Sequence, residues 1–207
     1  MELRVLGPVE VRAGGQVLDA GHARRRAVLV VLLLDLGRVV PVEALVDRVW
    51  GDEPPVSVLN TLYGYIARLR SVITQAADPG VTLSRQSGGY LLQAETEQLD
   101  LCRFRHLAAE ASDSPDCTRA AGLLGQALGL WRGLALTGVR SPWLNSMRET
   151  LEAGRLAALA DLTDIRLRQG EHSALAGELT GQATGRPGDE RLKIGRASCR
   201  ERVSSKV

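Results

Sequence analysis

The feature that most constrains this chain is an unbroken apolar run, AVLVVLLL, at residues 27–34. Eight residues are far too few for a membrane span, which needs about 20. The run must therefore be enclosed by protein on every side, and the rest of the chain has to supply the enclosure. Periodicity alone leaves a helix or a buried strand open. Length selects helix: residues 23–36 continue from Arg24-Arg25-Arg26 without a breaker and stop at Gly37, a residue suited to the turn that ends a helix.

The flanking segments read as the enclosure. Leu3, Val5, Val9 and Val11 lie either side of Gly7-Pro8, and Gly14-Gly15 leads into Val17-Leu18, a pattern of three short antiparallel strands. A second helix follows Pro41, with Val42, Leu45, Val46, Val49 and Trp50 on one face. Gly51-Asp52-Glu53-Pro54-Pro55 is a polar connection that no helix crosses. Ser57 then stands at an N-cap position, and the segment to Thr74 reads as a helix about 27 Å long. Its apolar stripe is Val58, Leu59, Leu62, Tyr65, Ile66, Leu69 and Ile73. The opposite face carries Asn60, Tyr63, Gly64, Ala67 and Ser71, with Arg68 and Arg70 on its flanks. Residues 81–85 and 90–92 form a strand pair around Gln86-Ser87-Gly88-Gly89, a hairpin signal.

From Asp100 the pattern is helical only, with helices expected at 101–111, 117–131, 142–168 and 171–184. Asp116 is a candidate cap, and Pro142 takes the favoured first position after Ser141. Antiparallel helix pairs fit this half, with a weak rhythm similar to tetratricopeptide stacking. The expected organisation is a first domain over residues 1–93, a helical domain over 98–193, and a tail at 194–207. That tail has neither apolar period nor caps and resembles translated sequencing-adapter DNA, so it is read as non-native and set aside, with a natural basic C-terminus as the alternative. On this reading the helical domain is cut short, and the first ninety residues are expected to be the autonomous folding unit.

Charge supports that division. The 207 residues carry a net charge of +2. Residues 1–93 hold ten arginines against nine acids, and residues 94–193 hold twelve basic against fourteen acidic residues. The positive excess sits in the last fourteen residues, so bulk charge is no argument for nucleic-acid binding. The three cysteines form no C-x-x-C pair, which leaves neither a disulfide framework nor a zinc site. Met1-Glu2-Leu3-Arg4 opens no secretory signal, and a cytoplasmic protein is expected. No metal or cofactor is expected.

Strands, three helices and a terminal hairpin are the layout of a winged helix-turn-helix, whose third helix enters the major groove while the hairpin meets an adjacent groove or backbone. Asn60 can bond an adenine edge, and Gly64, Ala67 and Ser71 allow close approach. Arg68 and Arg70 can reach guanine or phosphate, and Tyr63 a phosphate or sugar. Arg24, Arg25 and Arg26 are candidate phosphate contacts, weighed against an ordinary solvated helix start. Hairpin residues Arg85, Gln86 and Ser87 are candidates for the minor groove or its phosphates.

Several motifs, collinear over residues 2–192, carry a resemblance: LGPVEV at 6–11, RVVP at 38–41, LVD at 45–47, WGDEPP at 50–55, YIARLR at 65–70 and GGYLL at 88–92. Asp100-Leu101, Phe104, ALGLWRG at 127–133 and Pro142-Trp143 continue it. The chain resembles the Streptomyces antibiotic regulatory protein family, with the helical half similar to that family's bacterial transcriptional activation domain. The resemblance implies a mainly α fold with small β elements: an OmpR-type winged helix-turn-helix followed by a tetratricopeptide-like α-helical domain. It also implies a transcriptional activator of a biosynthetic gene cluster that binds direct repeats in double-stranded promoter DNA, often as a homodimer, and recruits RNA polymerase. Asp52 and Glu53 would then face a basic sigma-factor surface, with Trp50 in the core.

Two other classes compete with this reading. His22, His106 and His172 fall in no metal or triad motif, and no G-K-[ST] follows either Gly-Gly pair, so an enzyme is not expected. A helical protein-interaction module whose winged helix does not read DNA is the alternative, because a +1 domain binds random DNA weakly.

Overall fold

In a computed structural model of the chain, described for residues 1–170, the apolar run lies inside helix α1 (Ala23–Leu34) and residues 27–33 are all buried. The helix expected at 171–184 and the tail at 194–207 lie outside the described residues. Three strands precede α1, namely β1 (Glu2–Arg4), β2 (Glu10–Ala13) and β3 (Gln16–Leu18), paired antiparallel in that order. Alternation decides which face is inside: Leu3 and Val11 pair across the sheet and both are buried, whereas Glu2 and Arg12 face outward.

Strand β4 (Val39–Pro41), α2 (Val42–Trp50), α3 (Val58–Gln75), β5 (Thr82–Gln86) and β6 (Gly89–Gln93) follow. The sequence pattern does not predict β4. It pairs antiparallel with β6, so the second sheet has the order β4-β6-β5. The three residues of β4 alternate exposed, buried, exposed, too short a pattern to register against the adjoining helices. Pairing depends on Gly89, because a Cβ there would meet the Val40 carbonyl oxygen at 2.2 Å. The Val42 amide also donates to the Gly88 carbonyl at 3.1 Å, which ties the hairpin to the first turn of α2.

On α3, Leu62, Ile66, Leu69 and Ile73 are buried, as the apolar stripe requires. Leu59, in the first turn of α3, departs from the stripe and is 47% exposed. Ser57 precedes α3 without a side-chain capping bond. Trp50 is buried and stacks on Tyr65 with ring centroids 6.2 Å apart, and His22 meets the same Tyr65 edge-on at 5.0 Å.

A short 3-10 turn (Thr96–Gln98) leads to α4 (Asp100–Asp113), α5 (Cys117–Gly129) and α6 (Pro142–Arg168). Asp116 caps α5 by accepting from the Thr118 amide at 2.9 Å. α4 and α5 pack on each other, and Phe104 meets Trp131 edge-to-face at 5.4 Å. Residues Met1–Leu159 pack as one compact unit, across the junction near residue 93 where the sequence changes character. The second unit begins at Ala160; its described part continues α6 to Arg168, which pairs with Asp164 at 2.6 Å.

One buried carboxylate ties the junction together, beside several backbone bonds. Asp100, first residue of α4, accepts the Val5 amide at 2.8 Å and the Leu6 amide at 3.0 Å, with Arg132 at 3.3 Å. These two amides lie where β1 ends and its ladder runs out, so without Asp100 they would have no partner in a dry interior. Burial pushes the Asp100 carboxyl above the usual carboxylate range, against the opposing pull of Val5, Leu6 and Arg132. The chain fold is therefore mainly α with two small sheets, a winged helix-turn-helix followed by helices.

Candidate nucleic-acid interface

The exposed side of α3 follows from its pattern. With Leu62, Ile66, Leu69 and Ile73 turned inward, Asn60, Tyr63, Gly64, Ala67, Arg68 and Ser71 are all exposed. They share one face because they recur at three- and four-residue intervals. Nothing lies within 4 Å of where a Gly64 Cβ would stand, so the middle of this face is open ground.

The hairpin stands beside that face. β5 and β6 pair from Thr82–Gln93 to Gln86–Gly89, leaving Ser87-Gly88 as the tip, with Gly88 at φ +76°. Arg85, Gln86 and Ser87 are exposed. The Arg85 guanidinium lies 5.9 Å from the Tyr63 ring, so the structure brings together a residue of α3 and one of the hairpin. Gln86 donates to the Ser84 hydroxyl at 3.3 Å.

Other arginines bond to backbone carbonyls, though only Arg25 among them is buried. Arg70 is half-buried; its Nε donates to the Leu83 carbonyl at 2.9 Å and its guanidinium sits 5.7 Å from the Tyr90 ring. It fastens α3 to the hairpin. Arg25 is 9% exposed, and its Nε donates to the Ala20 carbonyl at 2.8 Å. Its guanidinium closes the turn before α1 and pairs with Asp19 at 3.7 Å, where the expected phosphate contact would have it face outward. Arg24 donates to the carbonyls of Val49 and Arg140, and Arg26 to that of Gly138 at 3.4 Å. The sequence could not separate these roles, because a helix start with three arginines shows neither which one turns inward nor what it meets.

Asp52 and Glu53 are exposed in the loop between α2 and α3. Val56, four residues before Asn60, is fully exposed in the same loop. Among the described residues, no group of three His, Cys, Asp or Glu side chains is placed to hold a metal ion, and no helix is long and apolar enough to cross a membrane.

Gly89, Asp100 and Ser141 each carry a local signal in the sequence, as part of a hairpin, a motif and a helix start, but their partners in setting the platform, the Val40 carbonyl, the Val5 and Leu6 amides and the Arg48 carbonyl, carry none.

Comparison with known proteins adds the rest. Residues 20–92 match the family described as "Transcriptional regulatory protein, C terminal", and residues 99–202 match "Bacterial transcriptional activator domain". The regulatory protein AfsR of Streptomyces griseus is 37% identical over 196 residues, which cover 93% of this chain and 20% of AfsR. The regulatory protein DnrI of Streptomyces peucetius is 35% identical over 202 residues, covering 93% of this chain and 74% of DnrI. The chain thus spans about a fifth of the AfsR proteins and three quarters of DnrI. Among solved structures, Mycobacterium tuberculosis EmbR in complex with a low affinity phosphopeptide superposes with a TM-score of 0.82 at 26% identity, over 92% of this chain and 52% of EmbR.

Proposed function

The chain belongs to the Streptomyces antibiotic regulatory protein family of transcriptional regulators, and from that premise we propose that it binds promoter DNA through α3 and the β5–β6 hairpin. The observation that carries the proposal is the exposed face of Asn60, Tyr63, Gly64, Ala67, Arg68 and Ser71, joined to Arg85 at the hairpin. The major groove, about 12 Å wide, admits a helix with small and hydrogen-bonding residues on its outer face. Asn60 reads a base, Arg68 a base or phosphate, and Arg85, Gln86 and Ser87 meet the neighbouring backbone. Two copies bind direct repeats, and Asp52 and Glu53 present charge to a basic surface of RNA polymerase or its sigma factor. The protein acts as an activator of a biosynthetic gene cluster and carries out no catalysis of its own.

The test is fluorescence anisotropy with a duplex recovered by in vitro selection from a randomised pool, using the full chain. Arg68→Ala is expected to lower the salt slope by about one, and Asn60→Ala to relax preference at one base by about 1–3 kcal/mol. Affinity untouched by both substitutions would refute the assignment of α3. Asp52→Asn with Glu53→Gln is expected to leave DNA affinity intact and lower run-off transcription.

One observation favours a second reading, a protein-interaction module that does not read DNA. Residues 1–93 carry a net charge of only +1, and Arg25 and Arg70 are committed inside the fold. Selection that enriches no sequence at low salt would favour that reading.

A further inference from the structure

The C-terminus of α2 is held from outside the helix-turn-helix. Its last carbonyls would ordinarily be left to water or to a cap. Here the Gly51 amide takes the Asp47 carbonyl at 2.7 Å, with Gly51 at φ +61°. The Ser141 hydroxyl donates to the Arg48 carbonyl at 2.6 Å, and Arg24 donates to the Val49 carbonyl. Ser141 is at the same time the N-cap of α6, because its oxygen accepts the Leu144 amide at 3.0 Å. One hydroxyl, 5% exposed as a residue, thus joins the end of α2 to the start of α6.

Side chains reinforce the joint. The Arg48 guanidinium lies 4.7 Å from the Trp143 ring and also pairs with Asp35, just beyond α1. A Cβ on Gly51 would stand 3.6 Å from Pro142 Cγ, so the turn that leads towards α3 rests on the first residue of α6. Arg148 of α6 braces the loop before Ser141, donating to the carbonyls of Ala135, Leu136 and Val139 at 2.9, 3.1 and 2.9 Å. That loop is fixed in turn to the N-terminal sheet, with the Leu136 amide on the Val5 carbonyl at 2.9 Å.

We infer that Ser141 and Trp143 are positioning residues for DNA recognition: by gripping the C-terminus of α2 they set the turn at Gly51 and hence the angle at which α3 meets the groove. Neither residue lies on the α3 face. The helical half then takes part in sequence reading without touching DNA, and any event that loosens the start of α6 reaches the promoter contact through α2. This inference rests on the DNA-binding reading above.

The test measures anisotropy of the full chain on the in vitro-selected duplex and on a scrambled duplex of equal length. Ser141→Ala removes one cap, so specific affinity is expected to fall about fivefold while non-specific affinity and salt slope stay unchanged. Ser141→Thr, which keeps the hydroxyl, is expected to restore the ratio of specific to non-specific binding, and Trp143→Ala to lower it. A residue with a merely structural role would lower both affinities together through a smaller folded fraction, and that result would overturn the inference. An unchanged ratio in folded Ser141→Ala and Trp143→Ala would overturn it as well, with wild-type binding still upholding the DNA reading. Should Ser141→Ala not fold, Trp143→Ala decides alone. Failure of the wild-type chain to select any sequence would defeat both readings, and is recognised by its absence of binding before any substitution is made.

Discussion

Replacing Asp100 with alanine probes the joint between the N-terminal sheet and the helices directly. The substitution leaves the Val5 and Leu6 amides without the acceptor they meet at 2.8 and 3.0 Å. Each buried unpaired amide costs about 1–3 kcal/mol. Arg132 loses little, since it also donates to the Pro8 carbonyl and pairs with Glu10 at 3.4 Å. Against this, alanine removes the cost of burying a carboxylate, a cost visible in the upward shift of the Asp100 carboxyl. The balance is a destabilisation of about 2–4 kcal/mol, or about 6–12 °C in Tm for a domain of this size. Circular dichroism on heating, followed in parallel by tryptophan fluorescence, measures it. Trp50 reports on the winged helix and Trp131 and Trp143 on the helical half, so coincident transitions are expected from one compact unit. The pH dependence has a definite sign. A carboxyl raised in the native state binds its proton to higher pH than the unfolded chain does. Its contribution is therefore greatest below the ordinary value of 3.8 and is lost as pH rises through the raised value. The stability gap between wild type and Asp100→Ala should widen from pH 7 towards pH 4. A loss below about 1 kcal/mol, or a gap that narrows on acidification, would refute the account of this carboxylate.

Three further outcomes follow from the same geometry. Gly89→Ala drives a Cβ to within 2.2 Å of the Val40 carbonyl and should cost about 1–3 kcal/mol or more while uncoupling β4 from the hairpin, measured by urea unfolding and by amide exchange in β6. Arg70→Ala should lower stability by about 1–2 kcal/mol by removing the bond to Leu83, whereas Arg68→Ala should leave the unfolding curve in place; equal effects would contradict the division of roles on α3. A fragment ending at residue 93 lacks Leu99, Asp100 and Arg132, which cover and bond the first strand, and should be cleaved faster by protease than the same region of the full chain.

That last outcome would run against the expectation, drawn from pattern alone, that the first ninety residues fold by themselves. The change of character near residue 93 is real in the sequence, but it marks a change of element type and not a break in packing. Leu3 pairs with Leu99, and the Val5, Leu6 and Gly7 backbone bonds to Asp100 and to the loop at 130–141. Such contacts span about a hundred residues, and no local periodicity encodes them.

What the sequence by itself determined is whatever follows from a local repeat. The apolar run became α1, the stripe of Leu62, Ile66, Leu69 and Ile73 became the inner side of α3, Pro142 began α6, and the Gly88-Gly89 pair became the hairpin. The family motifs and the exposed face of α3 were legible for the same reason, since burial of one side of a helix defines the other. Only the tertiary structure decided which arginines are free. Arg68 and Arg70 are two residues apart on one helix, yet one faces outward and the other is fixed to Leu83 and Tyr90. Likewise Ser141 announced itself as a helix cap, while its second bond, to Arg48, depends on α2 arriving beside it. A hydrogen bond or a buried guanidinium is a property of two partners in space, and a one-dimensional pattern names only one of them.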